Sequence, residues 1–149
     1  MANKIDIRNK KATHDYEFIE KFTAGIVLSG TEIKSVRNGK VSIADAFCFF
    51  RNGEIWVRNI HIAEYKNRGY INHDPESDRK LLLNRNELRK LERKTKERGF
   101  TIVATRLFIA DTGYAKLNIA LAKGKKEYDK RELIKKRDTE RQDARLRKL

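Results

Sequence analysis

Apolar residues in the middle of the chain come in short runs broken by turn formers, a pattern that predicts strands more often than helices. Residues 24–30 form one such run. Residues 46–50 and 54–62 flank Arg51, Asn52 and Gly53, and an Asn-Gly pair between apolar runs signals a hairpin. Residues 101–109 and 114–122 flank Asp111, Thr112 and Gly113, which predicts a second hairpin with a slightly longer loop. In its return strand Lys116 and Asn118 alternate with Leu117 and Ile119, so one face is buried and the other wet. Two segments have helical spacing. Over 31–38, Ile33 and Val36 lie three apart, with Thr31 as the expected cap and Gly39 as the stop. Over 84–98, Asn84 and Glu87 have capping-box spacing, Leu88 and Leu91 share a face, and Gly99 suits the left-handed position after the helix. Short strands with few helices predict a mainly β fold, a small closed or partly closed antiparallel barrel over residues 14–122.

The flanks differ. Residues 1–13, with Lys4, Arg8, Lys10 and Lys11, read as a flexible basic arm. Residues 123–149 hold twelve Lys or Arg against six Asp or Glu, with only a thin apolar stripe. Helices draw most of their stability from packing an apolar face. This tail is therefore expected to be disordered when free and helical against a polyanion.

Charge narrows the partner. Lys and Arg number 35 against 21 Asp and Glu, a formal net charge of +14. Such an excess points to a polyanion, with nucleic acid leading. The single Cys48 excludes an intrachain disulfide scaffold. No apolar run reaches the roughly 20 residues that cross a bilayer. The opening residues lack the apolar core of a secretory signal, so a cytoplasmic location is expected.

Catalytic patterns are absent. Neither HExxH nor CxxC occurs, so no metal or other cofactor is expected, and Gly25, Gly30 and Gly39 fit no phosphate-cradling motif. His14 reads as a residue that places the chain where it enters the barrel, His61 as half-exposed on a strand, and His73 as a turn residue. Cys48, among Phe47, Phe49 and Phe50, reads as a buried inert thiol. An enzymatic alternative, a metal-dependent nuclease using His14 and Asp15, has no further ligands to draw on. A structural RNA-binding or ribosomal protein is the stronger alternative. The binding signal lies in three basic segments around one small barrel: Arg79-Lys80, the helix after Asn84, and Lys123, Lys125 and Lys126 around Gly124. No recognition helix or dimer seam appears, which favours structured RNA over duplex DNA. Tyr65 and Tyr70, beside Lys66 and Arg68, either stack on bases or pack over a barrel mouth.

Several blocks carry a resemblance. They are His14-Asp15-Tyr16, residues 24–35, Arg37 with Gly39-Lys40, residues 79–83, residues 122–126, and residues 128–132. In these the chain resembles the small protein B family, the SsrA-binding proteins of bacterial trans-translation, over nearly its whole length. The resemblance implies a barrel of oligonucleotide-binding (OB-like) type with a basic tail. It implies an RNA-binding cofactor rather than an enzyme. Such a protein binds the tRNA-like domain of transfer-messenger RNA (tmRNA, SsrA RNA), and reaches stalled ribosomes with it and, indirectly, elongation factor Tu. Its tail would enter the vacant mRNA channel at the small-subunit decoding region. A monomer with no membrane partner is expected. The implied tmRNA-binding positions are Thr23, Lys34, Arg79, Lys80, Leu82, Asn84, Lys116, Lys123, Gly124, Lys125 and Lys126. The implied ribosome-engaging positions are Tyr128, Asp129, Lys130, Arg131, Lys135, Lys136 and Arg137. Thr23 departs from the family, where Glu is usual; Glu20 is a neighbour that could compensate.

Overall fold

The structure, a computed structural model, describes residues 5–65, 72–97 and 99–124. In chain order its elements are β1 (Asp6–Arg8), α1 (Lys10–Asp15), β2 (Tyr16–Ile26), α2 (Gly30–Arg37), β3 (Val41–Ser42), β4 (Phe47–Arg51), β5 (Glu54–Arg58), β6 (His61–Ile62), β7 (Arg79–Leu82), α3 (Arg85–Thr95), β8 (Phe100–Ile109) and β9 (Ala115–Gly124). Every strand pairing is antiparallel. The large sheet runs β1-β8-β4-β5-β7-β2-β9, and β9 pairs back onto β8. That last pairing closes a ring of β8, β4, β5, β7, β2 and β9, with β1 added outside it on β8. Closure satisfies backbone groups that an open sheet would leave at its edges.

Both predicted hairpins form, but the return strand expected over 54–62 ends at Arg58: Asn59 takes a φ of 68°, and His61–Ile62 leave to pair with β3. Arg51 pairs with Glu54, and Asn52 and Gly53 take positive φ (53° and 76°), which a two-residue turn of this twist requires. Ile109 pairs with Ala115 around Gly113, whose φ is 92°. The helices form with shifted ends. Ser29 caps α2 rather than Thr31: its side chain accepts from Glu32 N–H, and the Glu32 carboxylate accepts from Ser29 N–H. The expected strand at 24–30 therefore ends at Ile26. Asn84 caps α3 by accepting from Glu87 N–H at 2.9 Å, but the helix stops at Thr95.

Two expectations about the start of the chain are corrected. Residues 6–8 pair with β8, and α1 packs through Ala12 on Val103 and Ala122, so this part of the arm belongs to the fold. His14 is exposed and sits 2.9 Å from the adjacent Asp15 carboxylate. The residue that places the chain is the buried Asn9. Its side-chain oxygen caps α1, while its amide donates to the Ile43 and Ala104 carbonyls, both at 2.8 Å. One short polar side chain thus joins α1, the loop before β4, and β8.

The ring encloses the main core, which includes Ile26, Val36, Ile55, Val57, Ile60, Leu81, Leu91, Ile102, Leu107, Leu117 and Leu121. A small second core lies outside it, where Ala12 of α1 covers Val103 and Ala122 with Tyr16 and Phe18 alongside. Strict alternation in β9 holds only up to Ile119, and residues 120–122 are buried on both faces. Cys48 is buried, and desolvation pushes its thiol pKa up, consistent with an inert core residue.

Candidate nucleic-acid interface

Directly paired residues share a sheet face, so register lets the outer surface be read across strands. Leu82 of β7 pairs with Gly25 of β2, Gly25 with Lys116 of β9, and Lys116 with Phe108 of β8. The next row runs from Thr23 to Asn118 to Arg106 to Arg8. Opposite neighbours on these strands, such as Ala24, Leu81, Leu107 and Leu117, point into the core. Thr23, Leu82 and Lys116, far apart in sequence, therefore meet on one outward face.

That face combines exposed apolar and cationic side chains. Leu82 is 55% exposed and Val27 50% exposed, two apolar side chains facing solvent. Val27 N–H donates to the Lys80 carbonyl, which sets Val27 beside the Lys80–Leu82 strand. Gly25 presents no side chain between Leu82 and Lys116; a Cβ there would stand 3.5 Å from the Leu82 Cβ. The apolar Leu82 and the cationic Lys116 thus flank a position that carries no side chain. Thr23 donates its hydroxyl to the Asn118 side-chain oxygen at 2.9 Å. Arg106 lies over the Phe108 ring at 4.2 Å and forms a fork to Asp6, whose hydrogen bonds from Arg106 hold the Asp6 carboxyl below its usual pKa. Gly25, Val27, Arg106 and Phe108 were not singled out as site residues from the sequence. Period-two alternation assigns each to a face, but only the register between distant strands makes them neighbours.

Glu20 does not stand in for a glutamate at Thr23. A bulge between Phe18 and Glu20 sets Glu20 opposite the buried Leu121, on the inner side of β2. Its carboxylate pairs with Lys90 of α3 at 2.7 Å.

Arg79 also departs from its expected role. Its side chain is only 2% exposed, and its Nε donates to Glu32 at 2.7 Å. Its remaining donors reach the carbonyls of Ile60, Asp74 and Pro75 at 2.6–3.2 Å. A guanidinium so occupied holds loops together and has no free edge for a phosphate. His73 reinforces the same region, bonding Thr31 through Nδ1 and the Ile62 carbonyl through Nε2. Lys80, next in sequence, points outward to Glu54 at 2.7 Å.

Not all expected positions meet. Lys123 covers the Phe100 ring at 4.7 Å and, with Gly124, ends β9. Seven residues of strand separate it from Lys116, roughly 23 Å. Gly124 continues the strand opposite Tyr16. Lys34 lies half-buried in the last turn of α2. Tyr65 is half-buried, and its backbone exchanges hydrogen bonds with the Asn72 side chain. Lys66, Arg68, Tyr70, Lys125, Lys126, Tyr128, Asp129, Lys130, Arg131, Lys135, Lys136 and Arg137 lie outside the described residues.

Among the described residues no group of His, Cys, Asp or Glu is arranged to hold a metal ion, and no helix is long and apolar enough to cross a membrane. An SsrA-binding protein of Phocaeicola vulgatus is 59% identical over 142 residues, 95% of each chain. One from Cytophaga hutchinsonii is 54% identical, covering 99% of this chain and 96% of that one. One from Streptococcus pneumoniae is 49% identical, covering 97% and 93%. Among solved structures, a chain described under "tmRNA-SmpB: a journey to the center of the bacterial ribosome" superimposes with a TM-score of 0.69 at 44% identity, over 81% of this chain and 85% of that one. The SmpB protein family model matches residues 6–149. With its sequence matched from Asp6 to the last residue and its barrel superimposing on a solved SmpB chain, this protein belongs to the SmpB family.

Proposed function

We propose that this chain is the tmRNA-binding cofactor of trans-translation in its cell, acting in the cytoplasm as a monomer and without catalysis. The outer face around Thr23, Gly25, Leu82 and Lys116 receives the tRNA-like domain of tmRNA. Lys80 and Lys116 neutralise phosphates, while Leu82 and Val27 cover apolar ribose and base surface. Asn84 presents the N-terminus of α3 beside Leu82. Delivery to a stalled ribosome follows, with elongation factor Tu joining through the aminoacylated RNA. Lys123 and Gly124 stay in β9, and the chain beyond them enters the empty mRNA channel at the decoding region, where Lys130, Arg131, Lys135, Lys136 and Arg137 meet ribosomal RNA and Tyr128 stacks on a base. A chain of this charge gains its helix where phosphates screen its self-repulsion.

The observation that carries this reading is the row Leu82–Gly25–Lys116, which gathers three strands of an SmpB-family barrel into one uncovered face. Deleting residues 129–149 separates its two halves. Affinity for the tRNA-like domain should stay near that of the full chain, and peptide tagging on stalled ribosomes should be abolished. Loss of RNA affinity in that truncation, or full tagging without the tail, contradicts the division of labour.

A further inference from the structure

The outer surface of β4 and β5 carries rings that the core does not use. Phe47 and Phe49 alternate with the buried Cys48, and Trp56 with the buried Ile55 and Val57. Register sets Phe49 opposite Trp56, and Trp56 opposite Lys80 of the face described above. The guanidinium of Arg58 lies over Phe49 at 4.4 Å, and that of Arg51 over both Phe49 and Trp56 at 5.1 and 5.2 Å. Asp78 fastens both, accepting from Arg58 at 3.0 Å twice and from Arg51 at 3.1 Å. Two guanidinium groups share one carboxylate, which leaves a positive charge on the strip. The Trp56 Nε1 donor is buried and meets no acceptor among the described residues. An orphaned buried donor is costly and gains from an incoming acceptor.

We propose that the strip of Phe49, Trp56, Arg51 and Arg58 binds unpaired RNA nucleotides, as a continuation of the RNA face past Lys80. Guanidinium groups held over rings make a cationic, π-rich surface that a base can stack on, since every base has a π-face. The charge left over from Asp78 faces the phosphate of the same nucleotide. The unpartnered Trp56 Nε1 donor gains its acceptor when a base carbonyl or phosphate oxygen arrives. Paired RNA hides its base faces in its own stack, so the strip selects single-stranded segments. This rests on the reading above only in taking RNA as the partner.

Trp56 is the only tryptophan of the chain, so its emission reports on the strip alone. The full-length protein is titrated with an oligoadenylate of about ten nucleotides and, separately, with a short RNA duplex. Oligoadenylate should quench Trp56. The double substitution Arg51→Gln, Arg58→Gln should weaken oligoadenylate about tenfold and duplex RNA by less than about twofold. Both arginines are exposed, so this variant keeps the fold. Trp56→Phe should bind oligoadenylate, measured by anisotropy, while losing the signal. Unmoved emission at saturating oligoadenylate, or wild-type affinity in the double variant, overturns the proposal. A protein that binds the tRNA-like domain of tmRNA yet fails these titrations keeps its proposed function and loses the strip. One that passes them yet ignores that domain does the reverse.

Discussion

Arg79 and Lys80 are neighbours in sequence and carry the same charge, but β7 turns them to opposite sides. Arg79 faces inward, where the Glu32 carboxylate and three backbone carbonyls surround it. Lys80 faces outward, where Glu54 is its partner and both side chains are more than a third exposed. Solvent decides what each can do. A buried guanidinium has lost its hydration and must keep every replacement bond. An exposed ammonium exchanges its partner for a phosphate at little cost. A basic dipeptide is therefore not one site, and the inward half of this one is architecture for the outward half. The Glu32 carboxylate makes the link explicit, since its other oxygen closes the cap of α2 on Ser29 N–H.

The largest effect should come from the inner residue. Arg79→Met strands Glu32 and the carbonyls around it, and should cost about 3–5 kcal/mol of stability. The urea midpoint of the variant measures this. A shift worth less than about 1 kcal/mol would mean that the frame holds without the pair. Lys116→Ala sharpens the contrast from the outer side. It should leave the midpoint unchanged, weaken the tRNA-like domain about three- to tenfold, and reduce the salt slope of binding by about one. A destabilised Lys116 variant with an unaltered salt slope would turn the comparison around.

Which half a residue belongs to was only partly legible in the sequence. Alternation and the Asn-Gly turn disclosed both hairpins, because hairpins are local and their turn chemistry is written in adjacent residues. Asn84 was legible as a helix cap for the same reason. What local pattern does not carry is pairing between distant strands. Residues 16–23 mix Tyr16, Phe18, Ile19 and Phe22 with Glu17, Glu20, Lys21 and Thr23, and the bulge before Glu20 shifts the phase of their alternation, so most of β2 was not recognised. Arg79 looked like Lys80 because a charge run says nothing about burial; the partner that buries it, Glu32, lies 47 residues away. Asn9 was hidden in a polar segment because its partners, at 43 and 104, are joined to it only by the fold. The family resemblance supplied positions without this distinction, so it named Arg79 and Lys80 together.

The smallest effect should come from the exposed counterpart of the buried pair, Asp78 with Arg58 and Arg51. Hydrogen bonds from Arg58, then Arg51, hold the Asp78 carboxyl below its usual pKa. A carboxyl depressed in the folded state contributes stability that is present above its unfolded pKa, near 4, and is lost as pH falls through the lower folded value. Asp78→Asn should therefore cost roughly 1 kcal/mol or less at neutral pH, and the gap from wild type should close in strong acid. Unfolding by urea at both pH values gives the two differences. A gap that persists in acid would mean that the fork acts through geometry rather than charge. The exposed arginines would then resemble Arg79 more closely than Lys80, and would be less free to receive a nucleotide.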